Sequence, residues 1–116
     1  MSEIRIITDR ITISELKRIA EECFGDMVKA VVDIEQGIMA IGGELHADEE
    51  AILLGQGSSQ NDLWGINLYP DEPLDSFLEY DSMINIRPGQ GNRSRDVEDE
   101  VVREKIKKIV SKLISN

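Results

Sequence analysis

Residues 28–41 constrain the fold most, because two runs of β-branched and apolar residues flank a short polar turn. Val28–Ile34 leads into Glu35, Gln36 and Gly37, and apolar residues resume at Ile38–Ile41. This pattern predicts a β-hairpin over about residues 27–42. Because nearly every residue of both runs is apolar, we expect both faces of the hairpin to be covered.

Amphipathic helices are predicted on both sides of this hairpin in the sequence. Thr12 and Glu15 have the spacing of a capping box, and the helical periodicity that follows predicts a helix over 13–24. A longer apolar stripe with acid–base pairs four residues apart predicts a second main helix over 97–115. Residues 47–54, with acidic groups in the first turn, predict one short extra helix.

Three further segments are predicted to be extended. Residues 3–7 and 63–69 are typical of strands, and residues 77–87 are mostly extended with an interruption near 81–82. The order of elements predicts an α+β fold with a mixed, mainly antiparallel sheet of four to five strands. The two main helices then pack on one face of the sheet. A length of 116 residues predicts a single globular domain over 1–116.

The charge is distributed unevenly along the chain. There are 13 Lys and Arg against 23 Asp and Glu, which gives a net charge of −10. Residues 44–81 contain acidic groups but no Lys or Arg, whereas residues 82–95 contain arginines and no acidic group. Nucleic-acid binding needs a basic face, so we expect no general nucleic-acid binding. The acidic block is interpreted as a solvated surface, or alternatively as a docking surface for a basic protein.

Two other classes of protein are excluded by the sequence. A single cysteine, Cys23, excludes an intramolecular disulfide, and Cys23 and His46 together are too few for a zinc site of the Cys/His type. No apolar run approaches the roughly 20 residues of a membrane span, and the N-terminus lacks a signal-peptide core. We therefore expect a soluble cytoplasmic domain without a membrane partner.

The first candidate site residues lie on the polar face of two predicted strands. If residues 63–69 and 82–87 pair antiparallel, Asn67 lies opposite Asn85 and Arg87 lies opposite Gly65. Strands rarely contain Asn, so Asn67, Asn85 and Arg87 are predicted to bind a ligand. Alternatively, this face simply points to solvent.

The second candidate is the glycine-rich loop that follows. Arginine suits bidentate binding of a carboxylate or phosphate, and the loop leads into a helix N-terminus. We therefore predict that Asn92, Arg93 and Arg95 contribute to ligand binding, although no GxGxxG or Walker pattern is present. Alternatively, the arginines pair with the acidic residues of 44–81 and fix the loop to the body of the domain.

The third candidate is the segment from Glu44 to Glu50. In an extended segment Glu44, His46 and Asp48 share a face, and in a helix His46 and Glu50 do. Either arrangement places a carboxylate near an imidazole, so His46 and Asp48 are candidate catalytic residues and Glu44 a candidate ligand-binding residue. Oxygen ligands here would also suit Mg²⁺ or Mn²⁺, but no known metal-binding spacing is present and no metal site is assigned. Alternatively, His46 is a helix cap or a satisfied surface residue.

Residues 42–50, 62–70 and 83–95, taken together, resemble a small prokaryotic family of about this length. That family is known only as a domain of unknown function. The resemblance covers nearly the whole chain and implies a stand-alone domain, but it implies no activity.

These observations predict a domain that binds, and in one version hydrolyses, a small ligand carrying a phosphate or carboxylate. The alternative is a non-catalytic module for protein interaction or homo-oligomerisation, with pairing through a strand edge or the exposed sheet face. Whether the chain is an enzyme stays open, and so does the identity of any cofactor.

Overall fold

The computed structural model describes residues 3–115, apart from the side chain of Leu74. None of the helices in this part of the chain is long and apolar enough to cross a membrane. The elements in chain order are β1 (Arg5–Ile7), β2 (Ile11–Thr12), α1 (Ile13–Glu22), β3 (Val28–Asp33), β4 (Ile38–Ile41), α2 (His46–Gly55), β5 (Leu63–Leu68), α3 (Leu74–Phe77), β6 (Leu78–Glu79), α4 (Glu100–Leu113) and β7 (Ile114–Ser115). Single 3-10 turns lie at Gln60–Asp62, Met83–Asn85 and Pro88–Gln90.

Five strands form one antiparallel sheet in the order β1-β4-β3-β5-β6. β3 and β4 form the predicted hairpin, and β3 also pairs with β5 along its whole length. β6 adds two residues beside the end of β5, where Asn67 lies opposite Glu79. β2 and β7 form a separate parallel pair. The predicted α+β class, with its mainly antiparallel sheet, is confirmed.

One face of the sheet is covered by α1 and α4, as predicted. α1 begins after Thr12, whose Oγ1 accepts the N–H of Glu15 at 3.1 Å. α4 begins after Asp99, whose side chain accepts the N–H of Val101. The apolar stripes of both helices are buried, and each fully buried Leu or Ile contributes about 1.5–3 kcal/mol. The buried residues of these helices are Leu16, Ile19, Ala20, Ile106, Val110 and Leu113.

The other face is covered by α2 and by the turn at Met83–Asn85. Leu53 of α2 and Ile84 of the turn belong to a second apolar cluster, which includes Val31 of β3 and Leu63 of β5. Both faces of the central hairpin are therefore covered, as its composition predicts. The extra helix is placed opposite the two main helices.

Of the extended segment predicted for residues 77–87, only Leu78–Glu79 forms a strand, because Phe77 ends α3 and no strand follows Glu79 before Ile114. Residues 83–85 form a 3-10 turn instead, which begins where Ser82 Oγ accepts the N–H of Ile84 at 3.3 Å. The predicted pairing of Asn67 with Asn85, and of Arg87 with Gly65, is therefore also wrong. A Cβ at Gly65 would lie 2.5 Å from the Cβ and Oγ of Ser82, so Ser82 packs directly against the strand backbone.

Candidate functional site

A cleft of about 460 Å³ opens on the α2 side of the sheet. We call it the polar cleft. Its walls are the start of α2 and the segment from Asp81 to Ile84, and its floor is where β3, β5 and β6 adjoin. The residues that line it are Met27, Lys29, Leu45, His46, Ala47, Asn67, Tyr69, Glu79, Asp81, Ser82, Met83, Ile84 and Arg95.

Asn67 is the most unusual of these residues, because its side chain is buried but incompletely hydrogen-bonded. Its Nδ2 donates to Glu79 Oε1 at 2.9 Å and to the carbonyl of Asp81 at 3.2 Å. The residue is only 6% exposed, and its buried Oδ1 has no hydrogen-bond partner. An unpaired buried polar atom costs about 1–3 kcal/mol, so a hydrogen-bond donor that reached this oxygen would remove an unfavourable contribution.

His46 begins α2, and its ring is buried against β5. Nε2 donates to the carbonyl of Ile66 at 2.7 Å. Burial lowers the pKa of His46, and Lys29 acts in the same direction, while the Ile66 carbonyl, Asp81 and the nearby side chain of Asn67 oppose the shift. The ring is therefore neutral near pH 7. Because Nε2 carries the hydrogen, Nδ1 carries the lone pair and can accept a hydrogen bond or a proton.

Two basic and two acidic residues line the polar cleft. Arg95 Nε donates to Asp81 Oδ1 at 2.7 Å, so these two charges form an ion pair. Lys29 lies opposite Asn67 on the neighbouring strand, and Asn67 lies opposite Glu79 on the next. Residues directly opposite each other on paired strands share a face of the sheet, so these three side chains form a row across the floor.

Tyr69 supports the acidic end of this row. Its hydroxyl donates to Glu79 Oε1 at 3.0 Å. Burial and the adjacent Glu79 raise the pKa of Tyr69 to about 12, so the hydroxyl stays protonated. Glu79 Oε1 therefore accepts hydrogen bonds from two neutral donors, Tyr69 and Asn67.

Three of the residues that the sequence singles out line the polar cleft: His46, Asn67 and Arg95. Glu44 and Asp48 are exposed and are not among its lining residues. The roles predicted for Glu44 and Asp48 stay predictions, because neither residue lines the cleft.

Asn85 is fully buried and binds backbone. Its Oδ1 accepts the N–H of Gly65 at 2.8 Å, and its Nδ2 donates to the carbonyls of Gly65 at 2.9 Å and Arg95 at 3.0 Å. The amide thus binds one residue of β5 as a neighbouring strand would. All the hydrogen-bonding groups of this side chain are engaged, which leaves its predicted ligand-binding role without a free group.

Arg87 also binds backbone. Its guanidinium donates to the carbonyls of Gln60 and Leu63, and to that of Ile84 at 3.1 Å. It also lies over the ring of Trp64, 4.4 Å from the centroid. The alternative in which the arginines fix their loop to the body therefore describes Arg87, although its partners are carbonyls. It also describes Arg95, which pairs with Asp81 of the acidic segment 44–81.

The loop that contains Asn92 and Arg93 is closed by its own side chains. Asn92 Nδ2 donates to the carbonyls of Asn85 at 2.7 Å, Ser94 at 3.1 Å and Asp96 at 2.7 Å. The N–H groups of Arg93 and Ser94 both donate to Glu98 Oε2, at 3.0 and 2.9 Å. The carboxylate of Glu98 thus already occupies the N–H groups at this end of the loop.

Sequence reasoning missed Lys29, Glu79 and the buried Glu49. Glu49 Oε2 accepts the N–H of Gly43 at 2.9 Å, and Oε1 has no partner. Burial raises the pKa of Glu49 to about 9, so its carboxyl is protonated at neutral pH. The available signal was spacing: Glu49 follows His46 by three residues and precedes Leu53 by four, which places it on the inner side of α2.

Among residues 3–115, no group of three or more His, Cys, Asp or Glu side chains is arranged to hold a metal ion.

A family model described as a protein of unknown function, DUF5674, matches residues 5–113. The chain belongs to the DUF5674 family. The match extends from the start of β1 to the end of α4, so the whole polar cleft lies within the region that defines the family. No curated protein and no solved structure matches the chain. The resemblance to a domain of unknown function is confirmed, and the prokaryotic origin stays a prediction.

Replacing Arg87 with Ala tests whether this residue is structural. The Arg87→Ala variant loses the donor to three carbonyls and the contact with Trp64. We expect the free energy of unfolding to fall by about 2 kcal/mol or more, measured by urea denaturation. The exposed Arg93 in the same loop is the control, and Arg93→Ala is expected to stay within about 0.5 kcal/mol of the wild type. Equal losses in the two variants would contradict the structural role.

Glu49 predicts a pH-dependent stability. The folded chain keeps the Glu49 proton up to a pKa of about 9, whereas the unfolded chain releases it near the ordinary value of 4.5. Between these values, Glu49 therefore lowers the free energy of unfolding by up to about 1.4 kcal/mol for each pH unit gained. Urea denaturation across this range is expected to show a smaller decline in the Glu49→Gln variant. Glu44→Gln, at an exposed acid, is the control and should keep the wild-type slope; an unchanged slope in Glu49→Gln would refute the assignment.

Proposed function

We propose that this chain is a cytoplasmic domain that binds a small ligand carrying a phosphate or carboxylate in the polar cleft. The observation that carries the proposal is the pair of neighbours on the floor of the cleft: Lys29, a cation outside every ion pair of residues 3–115, and Asn67, a buried side chain with an unpaired Oδ1. Pockets for small molecules commonly combine a few fixed polar groups with apolar walls.

Positive charge for an anionic group comes from Lys29 and Arg95. Lys29 takes part in none of the ion pairs found among residues 3–115, so its ammonium can meet an anion without breaking an existing pair. Arg95 bonds to Asp81 through Nε, which leaves its terminal nitrogens to a ligand. Leu45 and Met83 flank these groups and are 56% and 66% exposed, so they offer apolar contact at the rim.

The hydrolytic version of the proposal uses His46 as the general base. Its Nδ1 lone pair can accept a proton from a water molecule, and the Ile66 carbonyl fixes the ring through Nε2. Asp48 has no part in this version, because it does not line the cleft.

Removing the charge of Lys29 tests the binding proposal. Inorganic phosphate and short carboxylates are titrated into ¹⁵N-labelled protein while amide resonances of the polar cleft are followed by NMR. The Lys29→Gln variant is expected to bind about tenfold or more weakly, because one charge-assisted hydrogen bond is lost. Lys105→Gln, at an exposed lysine on α4, is the control. Equal affinity in both variants, or no shift at the cleft in the wild type, would refute the proposal.

A second candidate function, homo-oligomerisation or binding of a protein partner, is supported by exposed apolar side chains. Leu45 and Met83 lie on the rim of the cleft, and Phe24, 43% exposed, contacts Lys29 at the same side. Exposed apolar groups of this size are typical of interaction surfaces when they cluster. Pairing through the outer strands is less favoured, because β1 and β6 have only 3 and 2 residues.

Sedimentation velocity over a range of concentrations tests this second function. If the rim is a self-association surface, the wild type forms dimers at high concentration and the Met83→Ser variant shifts towards monomer. Val101→Ser removes an equally exposed apolar side chain from α4 and serves as the control. A wild-type chain that stays monomeric at every concentration would exclude homo-oligomerisation.

A further inference from the structure

The floor of the polar cleft has opposite charges at its two ends. Lys29, Asn67 and Glu79 occupy directly opposed positions on β3, β5 and β6. Neighbouring strands are about 4.8 Å apart, so the backbone positions of Lys29 and Glu79 are separated by about 10 Å with Asn67 between them. A basic, a neutral and an acidic side chain thus follow one another across the sheet.

The other two charges of the cleft neutralise each other, because Arg95 and Asp81 form an ion pair. Glu79, like Lys29, takes part in no ion pair among the described residues. Its hydrogen bonds come from the neutral groups of Asn67 and Tyr69. A simple anion in the cleft would be attracted by Lys29 but repelled by Glu79. A simple cation would be attracted by Glu79 but repelled by Lys29.

Hydrogen bonding gives an independent indication. The unpaired Oδ1 of Asn67 accepts a hydrogen bond but cannot donate one, and the same is true of the Nδ1 lone pair of neutral His46. A carboxylate or a fully ionised phosphate supplies no donor to these atoms. An ammonium group supplies three donors, and two adjoining side chains of the cleft floor, Asn67 and Glu79, both have oxygens that accept hydrogen bonds.

We infer that the ligand of the polar cleft is a small zwitterion whose amino and acidic groups lie at opposite ends. Glu79 and Asn67 bind its ammonium group, and Lys29 binds its carboxylate or phosphate. This inference rests on the proposed function, because it names the class of ligand that the same cleft binds.

The inference is tested with three matched sets of probes. Straight-chain ω-amino acids of increasing length are titrated into the ¹⁵N-labelled wild-type chain at low salt, and so are the carboxylates and the alkylamines of the same lengths. We expect at least one ω-amino acid to bind about tenfold more tightly than the matching carboxylate and the matching amine. Increasing length finds the charge separation that the cleft prefers.

The Glu79→Gln variant removes one charge and keeps the oxygen that accepts hydrogen bonds from Asn67 and Tyr69. In this variant the preference for the amino acid over the carboxylate should disappear, while binding of the carboxylate is kept or strengthened. Glu100→Gln, at an exposed acid at the start of α4, is the control and should keep the preference.

Each outcome separates the inference from the proposed function. If the carboxylates and the amino acids bind the wild type equally, the zwitterion is refuted and anion binding stands. If the amines bind as tightly as the amino acids, the acidic group contributes nothing, and both the zwitterion and anion binding are refuted. If none of the probes shifts the resonances of the cleft, both are refuted as well.

Discussion

The outer side of β5 imposes the constraint on which the rest of the structure depends. β5 is buried along its length, yet β6 pairs only with its last two residues, Asn67 and Leu68. Buried backbone groups need hydrogen-bond partners, and in the part of the chain that the structure describes no further strand provides them on this side of β5. The amide of Asn85 takes both the N–H and the carbonyl of Gly65, and Arg87 takes the carbonyl of Leu63. Two side chains of a turn thus continue the sheet where the strand ends.

The polar cleft follows from this way of ending the sheet. Beyond β6 the chain crosses over the sheet face, where Ser82 lies against Gly65 in a space that a Cβ would fill. α2 also covers this face, through Leu53, but its cover stops at His46, where the helix begins. The part of the sheet between α2 and the segment at Ser82 stays uncovered, and Lys29 and Asn67 lie there as the floor of the polar cleft. Polar residues on a largely apolar strand pair are therefore placed where the covering ends.

The parts of the fold that the sequence predicts correctly depend on local or periodic signals. The hairpin of β3 and β4, the cap of α1 at Thr12 and the stripe of α4 are of this kind. The strands that pair with β5 could not be predicted in this way, because pairing between segments far apart in the sequence depends on register, which no local sequence pattern shows. Lys29 and Glu79 were missed for that reason: their relation to Asn67 exists only in the register of three strands.

The same distinction explains why some polar residues that look functional in the sequence are structural. The side-chain amide of Asn85 forms its hydrogen bonds with backbone groups. The side-chain amide of Asn92 likewise binds four backbone groups. Asn67 and Glu49 each keep one unpaired oxygen, but they differ in how they can respond. Glu49 lowers the cost of its burial by keeping a proton, as its pKa of about 9 shows. An amide cannot change its protonation state in this way, so the Oδ1 of Asn67 remains an acceptor at every accessible pH. Asn67 lines the polar cleft and Glu49 does not, so the proposed ligand can supply the missing donor to Asn67 only.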